Sequence, residues 1–231
     1  MIKTCPPILK STVSIFLGLV VLLAVNACGS NVGMWQDVDS DFRPRKLLIV
    51  SFRNVSDLYG QNVGARSPIS GKVFVTGEVG EGAEELLTGY LIAALEAHKE
   101  YTLISPGRAQ GAQERLMSKD LKLTSERELA VATGKALEAD AVLMGHLYRF
   151  QDRMGSRYAI ESPASVAFDL YMIRVSSGQT LWSGYFDETQ RALSEDLFRM
   201  NDFFRRGGAW ITAQEMALTG LKDVLKTFPA P

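Results

Sequence analysis

The chain has 231 residues, 25 of them Lys or Arg and 26 Asp or Glu, for a formal net charge of -1. With 46% hydrophobic and 22% charged residues it is neither an acidic disordered tail nor, on bulk charge, a nucleic-acid binder. Two cysteines exclude a disulfide-dense scaffold and a four-thiolate zinc site, and the length allows one medium domain with a real core or at most two small ones.

The first element reads as an address. Lys3 and Lys10 form a short basic region, and residues 11–27 carry no charge around an apolar centre that runs from Ile15 to Val25. These 17 residues fall short of the ~20 that span a bilayer as a helix. A basic region, an apolar region and a small-residue exit follow one another as in a secretory signal peptide. The exit, Val25-Asn26-Ala27-Cys28-Gly29-Ser30, resembles the bacterial lipoprotein signal box. That resemblance implies cleavage before Cys28 and acylation of this residue at its thiol and its new amino group, an anchor firmer than a single acyl chain. It also implies the outer membrane and its periplasmic face, because Gly29 stands where inner-membrane retention uses Asp; the outer leaflet of the inner membrane is the alternative. Cys5 would leave with the signal and Cys28 would be acylated, so thiol catalysis, thiolate metal binding and disulfides drop out together.

Three segments follow from this: a signal peptide over 1–27, a lipidated Cys28 with a polar tether over 28–45, and an α+β domain over 46–228. Asp37, Asp39 and Asp41 are spaced like the opening of a calcium loop, but Phe42 and Leu48 occupy the positions of its Gly and Glu. They read as a solvated tether.

The domain opens with Lys46-Leu-Leu-Ile-Val-Ser-Phe52, an apolar run fit for a central strand. Residues 53–71, rich in Asn, Gly and Ser, predict a long loop, and 72–76 a short strand. Leu86, Leu87, Tyr90, Leu91, Ala94 and Leu95 form the stripe of an amphipathic helix over 83–98. A strand over 101–105 halts at Pro106-Gly107, and helices are predicted over about 108–118 and 126–138. Ser125, three residues before Glu128, starts the second with a capping signature. Strands over 141–150, 166–175 and 180–187 follow, the last two joined by a tight turn at Ser176-Ser-Gly-Gln179. Helices over 193–205 and 210–228 close the chain. Helices interleave with the first strands and a meander follows, which predicts a single α+β domain with a mixed β-sheet and flanking helices.

No catalytic constellation emerges from these elements. Gly77-Glu-Val-Gly80-Glu-Gly82 lies between a strand and a helix, where phosphate loops sit, but its spacing is not that of a nucleotide fingerprint. Glu78, Glu81, Glu84 and Glu85 would also repel phosphate while suiting the helix dipole. His98 ends a helix and His146 alternates with apolar strand residues, so neither belongs to a metal-ligand spacing. No cofactor and no metal are expected. Phe198, Phe203, Phe204 and Trp210 form an aromatic cluster around Gly207-Gly208, read first as core and second as a surface for a protein partner.

Three fragments, Leu47-Leu-Ile-Val-Ser-Phe-Arg-Asn54, Ala139-Asp-Ala-Val-Leu-Met-Gly145 and Ser177-Gly-Gln-Thr-Leu-Trp182, carry a further resemblance. In that order they are similar to a group of envelope lipoproteins and periplasmic domains. The group comprises the curli-secretion lipoprotein, the penicillin-binding-protein activator lipoprotein and the N-terminal domain of the Tol-system propeller protein. The resemblance implies a protein-binding module in envelope assembly without catalytic residues. The expected function is therefore a non-enzymatic accessory protein, held to the membrane through Cys28, that binds other envelope proteins and no nucleic acid. An oligomeric secretion or export component is the first alternative, and an envelope hydrolase with an unrecognised site the second. Val166, Phe168, Leu170 and Met172 would suit one lipid-facing side of a barrel hairpin, but Tyr171, Ile173 and Val175 make the other side apolar too, so 166–175 reads as a covered core strand.

Overall fold

The computed structural model describes residues 34–35, 42–97, 101–118, 125–155, 160–190 and 211–229, all within a compact unit spanning Asn31–Pro231. Its first half contains β1 (Met34–Trp35), β2 (Lys46–Ile49), β3 (Arg53–Asn54), α1 (Ser56–Tyr59), β4 (Gly64–Arg66), β5 (Val73–Val75), α2 (Ala83–Glu96) and β6 (Thr102–Ile104). Its second half contains α3 (Pro106–Met117), α4 (Glu126–Ala136), β7 (Ala141–Gln151), β8 (Met154–Gly155), β9 (Ile160–Ser162), β10 (Ser165–Arg174), β11 (Thr180–Thr189) and α5 (Ala213–Leu225).

The main sheet has the order β1-β11-β10-β7-β2-β6, with β3 also pairing β7. It is mixed: β2, β3 and the β7 they pair with run parallel, as do β2 and β6, whereas β7, β10, β11 and β1 alternate in direction. This is the α+β arrangement that the order of elements predicts. Leu47, Ile49, Leu143, Leu170 and Met172 point to one face, under α2 and α5. Leu48, Val142, Met144 and Ile173 point to the other, under α3 and α4. β10 is buried on both sides along nine of its ten residues, so Val166, Phe168, Leu170 and Met172 face protein, as the two-sided apolar pattern predicts.

Between residues 50 and 71 the structure departs from the expected strand and loop, while β5 falls within the predicted 72–76 strand. The first strand does not run through to Phe52: it stops at Ile49, and the chain resumes at Arg53–Asn54 beside His146 and Leu147. Phe52 turns inward at the break, its N–H donating to Thr88 Oγ1 at 3.0 Å. The predicted loop holds one helical turn, α1, and then β4, which pairs with β5 as a hairpin laid over the sheet. Phe74 drives that placement. Its ring is fully buried and stacks on Tyr148 at 4.2 Å, worth about 2–4 kcal/mol from area and ring geometry together. Pro106 begins α3 as well as ending the strand before it, since its missing N–H is one that a helix start leaves unbonded anyway.

Within the stretch expected as tether, β1 pairs with β11, Met34 opposite Ser183 and Trp35 opposite Trp182. Phe42 packs on the core, with the Arg174 guanidinium 4.0 Å above its ring. At the other end, Thr212 and Glu215 form a reciprocal capping box that starts α5.

The fragments that carry the family resemblance turn out to hold the fold. Asp140 Oδ2 accepts the N–H groups of Arg45 and Lys46, each at 2.9 Å, and so sets the start of β2 against β7. Asn54 Oδ1 accepts the Ser56 N–H at 2.9 Å and turns the chain into α1. Gly178, at φ +73°, supplies the left-handed residue of the β10–β11 turn. Trp182 is fully buried, its Nε1–H donating to Thr227 Oγ1 at 3.2 Å. Asp140→Ala is expected to lose about 1–2 kcal/mol, seen as a lower denaturant midpoint at unchanged slope, with Asp140→Asn losing less.

Candidate functional site

The crossovers on either side of β2 lie on opposite faces of the sheet. The β2-to-β6 connection ends in α2 on one face, and the β6-to-β7 connection, α3 and α4, covers the other. Chains that part in this way open a crevice at the carboxyl ends of parallel strands. Here it is a cleft of about 580 Å³. Arg53, Asp57 and Leu58 form one wall, and Pro106, Gln110, Gln113 and Met117 of α3 the other. Ala130, Met144 and Gly145 lie at the bottom, with Glu84 and Glu126 also in the lining. The α3 residues recur at three- and four-residue intervals, so one helix stripe faces the cleft. Leu58 and Met117, 57% and 63% exposed, leave apolar surface open at the two rims.

Glu126 joins the cleft to a buried polar network. Its carboxylate, 22% exposed, lies 3.6 Å from Arg53 Nη1 through one oxygen and 3.1 Å from His146 Nε2 through the other. Behind it His146 and Asp169, each 1% exposed, are direct cross-strand partners on β7 and β10, with Nδ1 and Oδ1 2.8 Å apart. The hydroxyls of Tyr148 and Tyr171 both donate to Asp169 Oδ2, at 2.8 and 2.6 Å. Ser67 Oγ and Ser70 Oγ stand 2.7 and 2.8 Å from the Tyr171 hydroxyl.

Burial works against a charged His146, but the hydrogen bonds and charges of Asp169 and Glu126 outweigh it and lift its pKa to about 9. Burial likewise raises Glu126, and His146 followed by Arg53 overcomes it, leaving that carboxyl below its ordinary value. Burial and then the charge of Asp169 push the Tyr148 and Tyr171 hydroxyls up, so both stay protonated. In its charged form His146 donates from both ring nitrogens to carboxylates, so the imidazolium is paired on both sides. Ser67 faces Tyr171 and not the imidazole, so no serine–base pair forms here. These geometries describe a buried ion network with a structural role.

The Gly77–Gly82 segment is a structural turn. The Gly77 and Gly80 N–H groups donate to Tyr148 and Phe150 carbonyls, and Gly82, at φ +76°, precedes α2. Those donors are taken by β7 and do not form an anion cradle. Among the described residues, no group of three or more His, Cys, Asp or Glu is placed to hold a metal ion.

Of the residues singled out from the sequence, His146 is packed in the sheet. Cys28, His98, Phe198, Phe203, Phe204 and Trp210 lie outside the described residues. Asp169, Tyr148 and Glu126 were not among the residues singled out, and Tyr171 entered only as an apolar residue of the covered strand. The visible signal was a lone Asp within the apolar run from Val166 to Ile173 of β10, a residue type that is seldom fully buried unless paired.

No protein-family model matches the sequence, and no curated protein matches it. Solved structures do. The PelC dodecamer from Paraburkholderia phytofirmans is 16% identical over 87% of this chain and 99% of that one, with a TM-score of 0.45. The LpoB C-terminal domain from Salmonella enterica is 19% identical over 67% and 89%, with a TM-score of 0.40. Lipoprotein GNA1162 from Neisseria meningitidis is 12% identical over 71% and 93%, with a TM-score of 0.38.

Proposed function

We propose that this chain is a lipid-anchored accessory protein that faces the periplasm from the outer membrane and binds other envelope proteins through the cleft at the end of β2. The observation that carries the reading is the cleft itself, with Leu58 and Met117 holding apolar surface open on opposite walls. Exposed apolar surface gathered at a concave site is the mark of an interaction surface. The lipobox-like Val25–Ser30 stretch supports the anchor, and Gly29 supports the outer membrane. The network behind the cleft supports binding rather than turnover, because its charged groups are locked in pairs.

Two measurements test this reading. Cys28→Ala is expected to abolish lipid labelling and to leave the protein uncleaved or mislocalised; unchanged labelling overturns the anchor. A photo-crosslinking residue at Met117 is expected to yield discrete protein adducts in intact envelopes, whereas one at exposed Lys222 on α5 yields none. Adducts equal at both positions, or absent at Met117, overturn the docking site.

A further inference from the structure

The charges of the cleft can be paired off from the inside outward. Asp169 and His146 balance each other behind the lining, and Glu126 faces the half-exposed Arg53 at 3.6 Å. Among the described lining residues Arg53 is the one cation, and it stands against three carboxylates, those of Asp57, Glu84 and Glu126. Gln110 and Gln113 add side-chain amides, which both donate and accept, along the α3 wall. An acidic, amide-bearing groove between apolar edges complements a peptide that offers a cation next to a large apolar side chain.

We infer that the cleft receives a peptide segment of a partner protein in which Lys or Arg adjoins a large apolar residue. The cation lies toward Asp57 and Glu84, and the apolar side chain between Leu58 and Met117. The inference rests on the reading of the cleft as the docking site and names the chemistry of what docks there. Paired rim charges of this kind set specificity and association rate more than raw affinity, so binding weakens as salt rises.

The test is a selection of random twelve-residue displayed peptides against the purified full-length lipoprotein in detergent, followed by anisotropy titration of the enriched sequences. Enriched peptides are expected to carry Lys or Arg beside Leu, Ile, Phe or Met. Their affinity is expected to fall about fivefold to tenfold in Asp57→Asn/Glu84→Gln, two changes outside the buried network. Leu58→Ser and Met117→Ser are each expected to weaken binding without altering its salt dependence. Enrichment of acidic or uncharged peptides that still crosslink at Met117 overturns the cation while leaving the docking site standing. Enriched peptides indifferent to all four substitutions overturn both. If no peptide is enriched although envelope proteins crosslink at Met117, the occupant is a folded surface and the inference fails while the docking reading survives.

Discussion

Asp169→Ala is expected to lower the unfolding free energy by about 3–5 kcal/mol, a large share of the roughly 5–15 kcal/mol of a typical domain. The substitution removes the acceptor for three donors at once, leaving the His146 imidazolium and the Tyr148 and Tyr171 hydroxyls buried with a partner missing. Asp169→Asn keeps an amide oxygen and is expected to lose less, which holds the comparison on folded protein. Denaturant midpoints of the three proteins give the order. If Asp169→Ala matches the parent, the network contributes nothing and its structural role is wrong.

The same network makes stability depend on pH, in a direction set by the sign of the shift. The pKa of His146 is raised from 6.5 to about 9 in the folded protein. Its contribution is therefore complete below pH 6.5 and is lost as pH rises toward 9. That shift corresponds to about 3 kcal/mol at 1.36 kcal/mol per pH unit. Glu126, held below its ordinary value, acts oppositely and gives up its share as pH falls through the acid range. Unfolding of the parent chain is expected to become easier between pH 6.5 and 9, and Asp169→Ala to flatten that slope. Parallel pH profiles would separate His146 from the effect.

Gly145→Ala is expected to cost about 2–4 kcal/mol. A Cβ there would stand 2.5 and 2.8 Å from two Phe52 ring carbons and 2.9 Å from the Asp169 carbonyl oxygen. The ring is wedged edge-on against Phe168, with centroids 6.0 Å apart, and the carbonyl belongs to the neighbouring strand, so neither gives way cheaply. Phe52→Leu shortens the obstructing side chain and is expected to recover part of the loss, the backbone contact retaining the rest. A double-mutant cycle reads this as a coupling of about 1 kcal/mol or more. Strict additivity would mean that the glycine is not required by Phe52.

The break between β2 and β3 shows why the sequence was legible up to a point. Periodicity reports which sides of an element meet apolar surroundings, so the α2 stripe, the doubly covered β10 and the turn at Gly178 could be read in advance. It does not report where a strand must step aside for a ring, and Phe52 looks like one more strand residue until Gly145 is placed beneath it. The hairpin of β4 and β5 was missed for a similar reason. Its second strand lies within the predicted 72–76 strand, but β4 is three residues long, too short for a pattern, and Phe74 becomes core only through the partner ring of Tyr148.

By itself the sequence determined the order and type of most elements and the mixed α+β class, because these follow from local spacing, capping and turn chemistry. It also carried the lipobox-like exit at Cys28, an expectation that stands on those few residues. Only the tertiary structure decided that His146 meets Asp169 and Glu126, and that a cleft opens between the 53–58 wall and α3. The His146 contacts join residues 20 and 23 positions apart through strand register and crossover, and the two cleft walls lie still farther apart in the chain, which no single-chain pattern encodes.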